Sequence, residues 1–122
     1  MGITAIKRII NRFPSKVEVT NLENPDKPNN SGVVARSREL EVDMWIPWAT
    51  KAADVDKHSI HVSLSRGRAV TIYQGELADG DFVRVMTRGD RFPGSHIGGH
   101  AEVNGDRHMK ISRSGAISLI EI

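Results

Sequence analysis

The chain of 122 residues contains no cysteine. Disulfide frameworks and thiolate chemistry are therefore excluded, and the composition is consistent with a reducing compartment. Aromatic residues are scarce, with three phenylalanines, two tryptophans and one tyrosine. Neither sign of charge dominates, because the chain has 17 basic and 15 acidic residues. The sequence also has no block of like charges. This balance gives no indication of a nucleic-acid partner.

Long hydrophobic runs are absent as well. No apolar stretch approaches the roughly 20 residues that span a bilayer. The first residues lack the apolar core of a signal peptide, because Lys7, Arg8 and Asn11 interrupt them. We therefore expect a soluble protein that is cytoplasmic or released without a recognisable signal peptide.

What the sequence does contain is apolar residues at every second position, the pattern of half-buried strands. Short turn-forming stretches such as Ser65 to Arg68 and Ser114-Gly115 separate these runs. The pattern predicts an all-β, antiparallel β-sandwich, jelly-roll or related, of about eight strands in a single domain spanning residues 1–122. A small β-barrel is the alternative.

Two segments are less clear. Ile6, Ile9 and Phe13 fit a helical period, but the β-branched content before Pro14 favours a strand with a bulge. Residues 49–58 are the only other place where a helical turn would fit.

A glycine-rich segment, residues 88–109, collects three of the five histidines and five glycines. Carboxylates accept hydrogen bonds from hydroxyl groups, while guanidinium and imidazole groups donate in fixed directions. We expect its polar side chains to converge at one end of the sandwich and bind a hydroxyl-rich ligand; they are Asp90, Arg91, His96, His100, Asp106 and Arg107. The alternative is that they brace a long loop.

Aromatic residues provide the second candidate cluster. Trp45 and Tyr73 alternate with core positions and should point outward, and Trp48 follows a strand end. An exposed indole or phenol ring can stack on the C–H face of a sugar or lie at a membrane interface. The alternative is that the tryptophans close the end of the sandwich.

Reactive chemistry is not indicated. His96 and His100 have a spacing seen in zinc sites, but the glycines between them argue against the required helix. No acid, base and nucleophile support one another. We therefore expect a protein that is not an enzyme and that has no metal and no cofactor.

These features predict a lectin-like, carbohydrate-binding protein that recognises glycans or glycoconjugates and acts as a hemagglutinin. A homo-oligomer would supply avidity, with Ile120 and Ile122 of the last strand as the contact. The general shape is similar to small cysteine-free β-sandwich lectins and to aegerolysin-like and actinoporin-like proteins. That second resemblance implies binding to a membrane surface, and a structural assembly protein is the third possibility.

Overall fold

The computed structural model describes residues 3–24, 26–27, 30–78, 80–87 and 89–122. Over these residues the protein is all-β and has a single short α-helix. The helix, α1 (Ala52–Val55), lies within the segment for which we predicted a helical turn. No helix among these residues has the length and apolar character that a bilayer crossing requires.

The described strands form two open sheets that make a sandwich-like fold. The strands are β1 (Thr4–Asn11), β2 (Val17–Asn21), β3 (Ser31–Val34), β4 (Glu39–Trp45), β5 (Ile60–Ser63), β6 (Ala69–Leu77), β7 (Gly80–Thr87), β8 (Ser95–His96), β9 (Gly98–Gly99), β10 (Gly105–Ile111) and β11 (Ile117–Glu121). In the five-stranded sheet the order is β4-β1-β10-β11-β9, and in the six-stranded sheet it is β3-β2-β5-β6-β7-β8.

The structure differs from the predicted sandwich in strand number and direction. Two of the additional strands, β8 and β9, have only two residues each, which is too short for an alternating pattern to reveal. Two of the pairings between described strands are parallel, β1 with β10 and β9 with β11. Parallel neighbours need a long connection, and here most of the chain lies between β1 and β10.

The N-terminal segment is the bulged strand that the sequence favoured. Its register shifts between Ile6 and Arg8 against both neighbouring strands. Ile6 and Ile9 consequently both reach the core, although their spacing would place them on opposite faces of a regular strand.

The main core lies between the two sheets. It is formed by the alternating apolar positions of both inner faces, among them Ile9, Met44, Ile72 and Leu119, which are fully buried. Packing is close enough that a methyl group on Gly32 would collide with the Leu40 side chain at 2.4 Å.

Strand direction defines two ends of the sandwich. At the indole end, β4 finishes at Trp45 while β1 and β10 begin. At the opposite end, which we call the basic end, β3 leads into β4 through residues 35–38 and β10 leads into β11 through residues 112–116. These two ends are the reference for the positions of the two predicted clusters, the polar residues of the glycine-rich segment and the aromatic residues.

Candidate ligand-binding site

Trp45 is the most exposed of the tryptophan, tyrosine and phenylalanine side chains, with 59% of its surface accessible. It lies on the outer face of the five-stranded sheet, where it pairs with Ala5, whose small side chain leaves the indole uncovered. The buried Asn21 amide donates to the Trp45 carbonyl oxygen at 2.9 Å and so ties the end of β4 to the other sheet. The Trp45 indole, which we call the platform, is thus exposed on a fixed backbone.

Two hollows flank the Trp45 indole. The first, which we call the indole cleft, has a volume of about 310 Å³; its lining residues are Ile3, Glu23, Trp45, Ile46, Pro47, Trp48, His58 and Gln74. The second, the amide hollow, has a volume of about 190 Å³ and is lined by Asn21, Glu23, Asn24, Lys27, Asn30, Asp43 and Trp45. A ligand at Trp45 would therefore find an aromatic cleft on one side and polar groups on the other.

Gln74, a buried residue of β6, holds the floor of the indole cleft. Its side chain accepts a hydrogen bond from the Thr4 hydroxyl at 2.8 Å and donates to the Ile46 carbonyl oxygen. Its backbone bonds to Pro47 and Ala49. These contacts fix the segment that carries Trp48, which is half-buried at the cleft wall.

Charged groups around the indole are mostly paired. Lys7 donates to Asp43 at 2.6 Å, and this hydrogen bond, with the added charge of Asp106, raises the Lys7 pKa. His58 Nδ1 lies 2.9 Å from the Glu23 carboxylate at the mouth of the indole cleft. The Lys27 ammonium stands 5.8 Å from the Trp45 ring centroid, within cation–π range.

The structure corrects the prediction for Tyr73, which is fully buried. Alternation placed its side chain on the outer face correctly, but that face is covered. Ala49 and Val55 pack against the ring, Phe92 stacks on it with centroids 5.8 Å apart, and its hydroxyl donates to the Pro93 carbonyl oxygen at 2.6 Å. Burial raises the pKa of Tyr73 to about 12. It is unavailable as a platform for a ligand.

The polar residues of the glycine-rich segment do not converge. Asp90 caps its own turn by accepting from the backbone and hydroxyl of Thr87, and these bonds lower the Asp90 pKa. Arg107 is buried and donates to the carbonyl oxygens of Glu102, Asn104 and Asp106. Both residues brace loops, as the alternative interpretation held.

The remaining residues of that group are dispersed. Arg91 is exposed beside Asp90 in the loop that follows β7. The His96 ring stacks on Phe82 with centroids 4.0 Å apart. His100 lies 3.2 Å from the carboxylates of both Glu102 and Glu121. Asp106 lies at the same end as Trp45, and because both residues pair with Ala5, one strand separates them.

Several polar residues at the platform were not predicted. Most belong to the loop after β2, residues 22–30, which the sequence shows only as a connection rich in asparagine and proline. Asp43 was detectable, because alternation along β4 puts it on the same face as Trp45. Among the described residues, no group of three histidine, aspartate or glutamate side chains is arranged to hold a metal ion.

No protein-family model, no curated protein and no solved structure matches this chain.

Proposed function

We propose that the protein binds glycans without catalysing a reaction, with a sugar ring stacked on Trp45. The observation that carries the proposal is an indole, 59% exposed, that stands between two hollows with polar groups at its edges. An indole face is complementary to the C–H face of a sugar ring, while its surroundings must satisfy the hydroxyl groups.

The amide hollow supplies both kinds of hydrogen-bonding group. Glu23 and Asp43 are acceptors for ligand hydroxyl groups, and Lys27 is a donor. The buried amides of Asn21 and Asn30 are already bonded to backbone oxygens of Trp45 and Asn24, so they shape the hollow and do not contact the ligand. A neutral, hydroxyl-rich ligand suits this mixture of short polar groups.

A membrane surface is the second candidate, and a distinct observation favours it. Ile3, which lines the indole cleft with Trp45, and Ile122, at the same end of the sandwich, are both more than half exposed. Exposed apolar side chains at one end of the molecule suit contact with lipid. The carboxylates of Glu23, Asp43 and Asp106 lie on the same surface, however, and would repel the anionic headgroups that usually attract such proteins. We therefore favour the glycan.

Avidity through a homo-oligomer remains part of the proposal. Ile120 on β11 and Ile122, which follows that strand, are exposed and are available for a subunit contact. The strand itself is not an edge, since β10 and β9 pair with its two sides. Jelly-roll connectivity, hemagglutination and the alternative of a purely structural assembly protein stay predictions.

A glycan array followed by titration calorimetry tests the proposal. We expect binding that Trp45→Ala weakens at least tenfold, about 1.4 kcal/mol, and that Trp45→Phe partly retains. Val33→Ala, a change at a similarly exposed apolar residue away from the platform, should leave binding unchanged. Silence across a broad array, or full binding by Trp45→Ala, would contradict the proposal.

Vesicle sedimentation distinguishes the second candidate, membrane binding, from glycan binding. We expect no binding to neutral or anionic phospholipid vesicles. Sedimentation that sugars do not inhibit and that Trp45→Ala abolishes would favour the membrane function instead. Light scattering on the same samples measures the oligomeric state.

A further inference from the structure

The basic end of the sandwich, opposite the indole platform, carries a concentration of arginine side chains. Arg36 and Arg38 lie in the turn between β3 and β4, Arg68 precedes β6, and Arg113 lies in the turn between β10 and β11. The connections of both sheets thus bring positive charge to the same end.

These four arginines have no carboxylate partner within the described chain. The acidic residues at this end have other basic partners: Glu39 contacts Arg8 at 3.1 Å and Arg12 at 3.4 Å, and Glu18 lies 3.8 Å from Lys16. A net charge near zero for the whole protein therefore conceals a local excess of positive charge.

A groove of about 430 Å³ opens at this end, and we call it the serine groove. Its lining residues are Pro14, Ser15, Lys16, Glu18, Arg36, Ser63, Leu64 and Ser65. The hydroxyls of its three serines make no hydrogen bond to the described residues, and neither does the Arg36 guanidinium. The groove thus combines two cationic side chains, of which Lys16 lies beside the Glu18 carboxylate, with three hydroxyl donors.

One buried residue fixes the walls of the serine groove. The Asn11 amide donates to the carbonyl oxygen of Ser15 at 2.9 Å and to those of Val34 and Ala35 at 3.0 and 3.2 Å. Asn11 therefore holds the turn that carries Ser15 against the turn that carries Arg36. Groups held in place before binding lose less conformational entropy when a ligand arrives.

We propose that the serine groove binds a tetrahedral oxyanion, a sulfate or phosphate ester, carried on an anionic polysaccharide. Arg36 and Lys16 provide charge-assisted hydrogen bonds, and the serine hydroxyls donate to the remaining oxygens. Phe13, which lies under the Arg68 guanidinium at 5.6 Å, is buried and offers no ring on which a nucleic-acid base could stack. This site is independent of the platform at Trp45.

The test measures binding of a sulfated polysaccharide by calorimetry at low salt, beside its desulfated form and a single-stranded oligonucleotide. Inorganic sulfate and inorganic phosphate, titrated separately by NMR, distinguish the two ester types. We expect the sulfated chain to bind most tightly, with an affinity that falls as salt rises. Equal binding of the desulfated chain, or tighter binding of the oligonucleotide, would overturn the proposal.

Three charge variants localise the site. Arg36→Gln should weaken the sulfated chain about fivefold, the upper range for one exposed ion pair. Glu18→Gln removes the carboxylate of the groove and should tighten binding, about twofold to threefold by the same reasoning. Lys57→Gln makes an equal change of charge at the other end and should have no effect.

The sign of the Glu18 result is decisive, since a variant that is merely damaged cannot bind more tightly. Weaker binding by Glu18→Gln, or equal losses in Arg36→Gln and Lys57→Gln, would show that the groove is not the site. Circular dichroism spectra of the variants confirm that each one is folded.

Discussion

Trp45 and Tyr73 both lie on the outer face of a sheet, Trp45 at the end of the edge strand β4 and Tyr73 in the middle of the interior strand β6. Each is on the outer face of a strand and alternates with buried core residues. Trp45 is nevertheless 59% exposed and Tyr73 is fully buried. The difference comes from chain that is not adjacent to either residue: Val55 of α1 and the loop that contains Phe92 cover the six-stranded sheet at Tyr73. Alternation along a strand therefore reveals which face a side chain occupies, but not whether that face meets water.

We expect the largest loss of stability when the buried Tyr73 side chain is removed. Tyr73→Ala leaves a cavity beneath Val55 and Phe92 and should lower the free energy of unfolding by about 3–5 kcal/mol, as for other large-to-small aromatic changes. Denaturant titration measures this loss. A loss below that of Trp45→Ala would mean that the cover does not stabilise the protein.

A second variant tests the hydrogen bonds that the buried Gln74 side chain makes with Thr4 and Ile46. Gln74→Leu leaves the buried Thr4 hydroxyl without its acceptor and the Ile46 carbonyl oxygen without its side-chain donor, and should cost about 2–3 kcal/mol. The double variant Thr4→Val/Gln74→Leu should lose less than the sum of the two single variants, because they share one interaction. Additive losses would show that the hydrogen bond contributes little.

We expect a smaller loss of stability when only the hydroxyl of Tyr73 is removed. Tyr73→Phe removes the bond to the Pro93 carbonyl oxygen and should cost about 1 kcal/mol near neutral pH. Burial raises the pKa of Tyr73 from 10.0 to about 12 in the folded protein. This stabilising contribution is therefore complete below pH 10 and is lost as the pH rises towards 12.

Unfolding experiments on both sides of that alkaline window provide the check. Wild type should lose stability between pH 10.0 and about pH 12 more steeply than Tyr73→Phe. Parallel curves for the two proteins would indicate that other groups dominate the alkaline transition.

The smallest effect on stability is expected at the uncovered position. Trp45→Ala should change the free energy of unfolding by no more than about 0.5 kcal/mol, as for other surface substitutions. Denaturant titration beside Val33→Ala gives the comparison. A loss near that of Tyr73→Ala would show that the indole is a structural closure of the sandwich.

Much of the fold could be predicted from the sequence. The alternating runs gave the all-β class and most of the longer strands, and β-branched residues before Pro14 indicated β1 and its bulge. The two-residue strands β8 and β9 could not be detected, because they consist of backbone pairing with too few side chains to form a pattern. The parallel pairing of β1 with β10 depends on contacts across most of the chain.

The candidate site was predicted less well. Trp45 was identified as an exposed ring, but its predicted polar partners, such as Asp90 and Arg107, serve their own loops. The residues that do surround it, Glu23 and Lys27 among them, come from a loop whose composition indicates only a turn. Proximity between a loop and a strand end depends on how the sheets pack, which no local pattern encodes.

The sequence by itself determined most of the longer strands and the face on which their side chains alternate, because the extended backbone turns successive residues to opposite sides. Tertiary structure alone decided that one outward ring is exposed and another is covered, and that arginines from separate turns gather at one end. Both outcomes depend on contacts between segments far apart in the chain, and those contacts exist only once the two sheets have packed together.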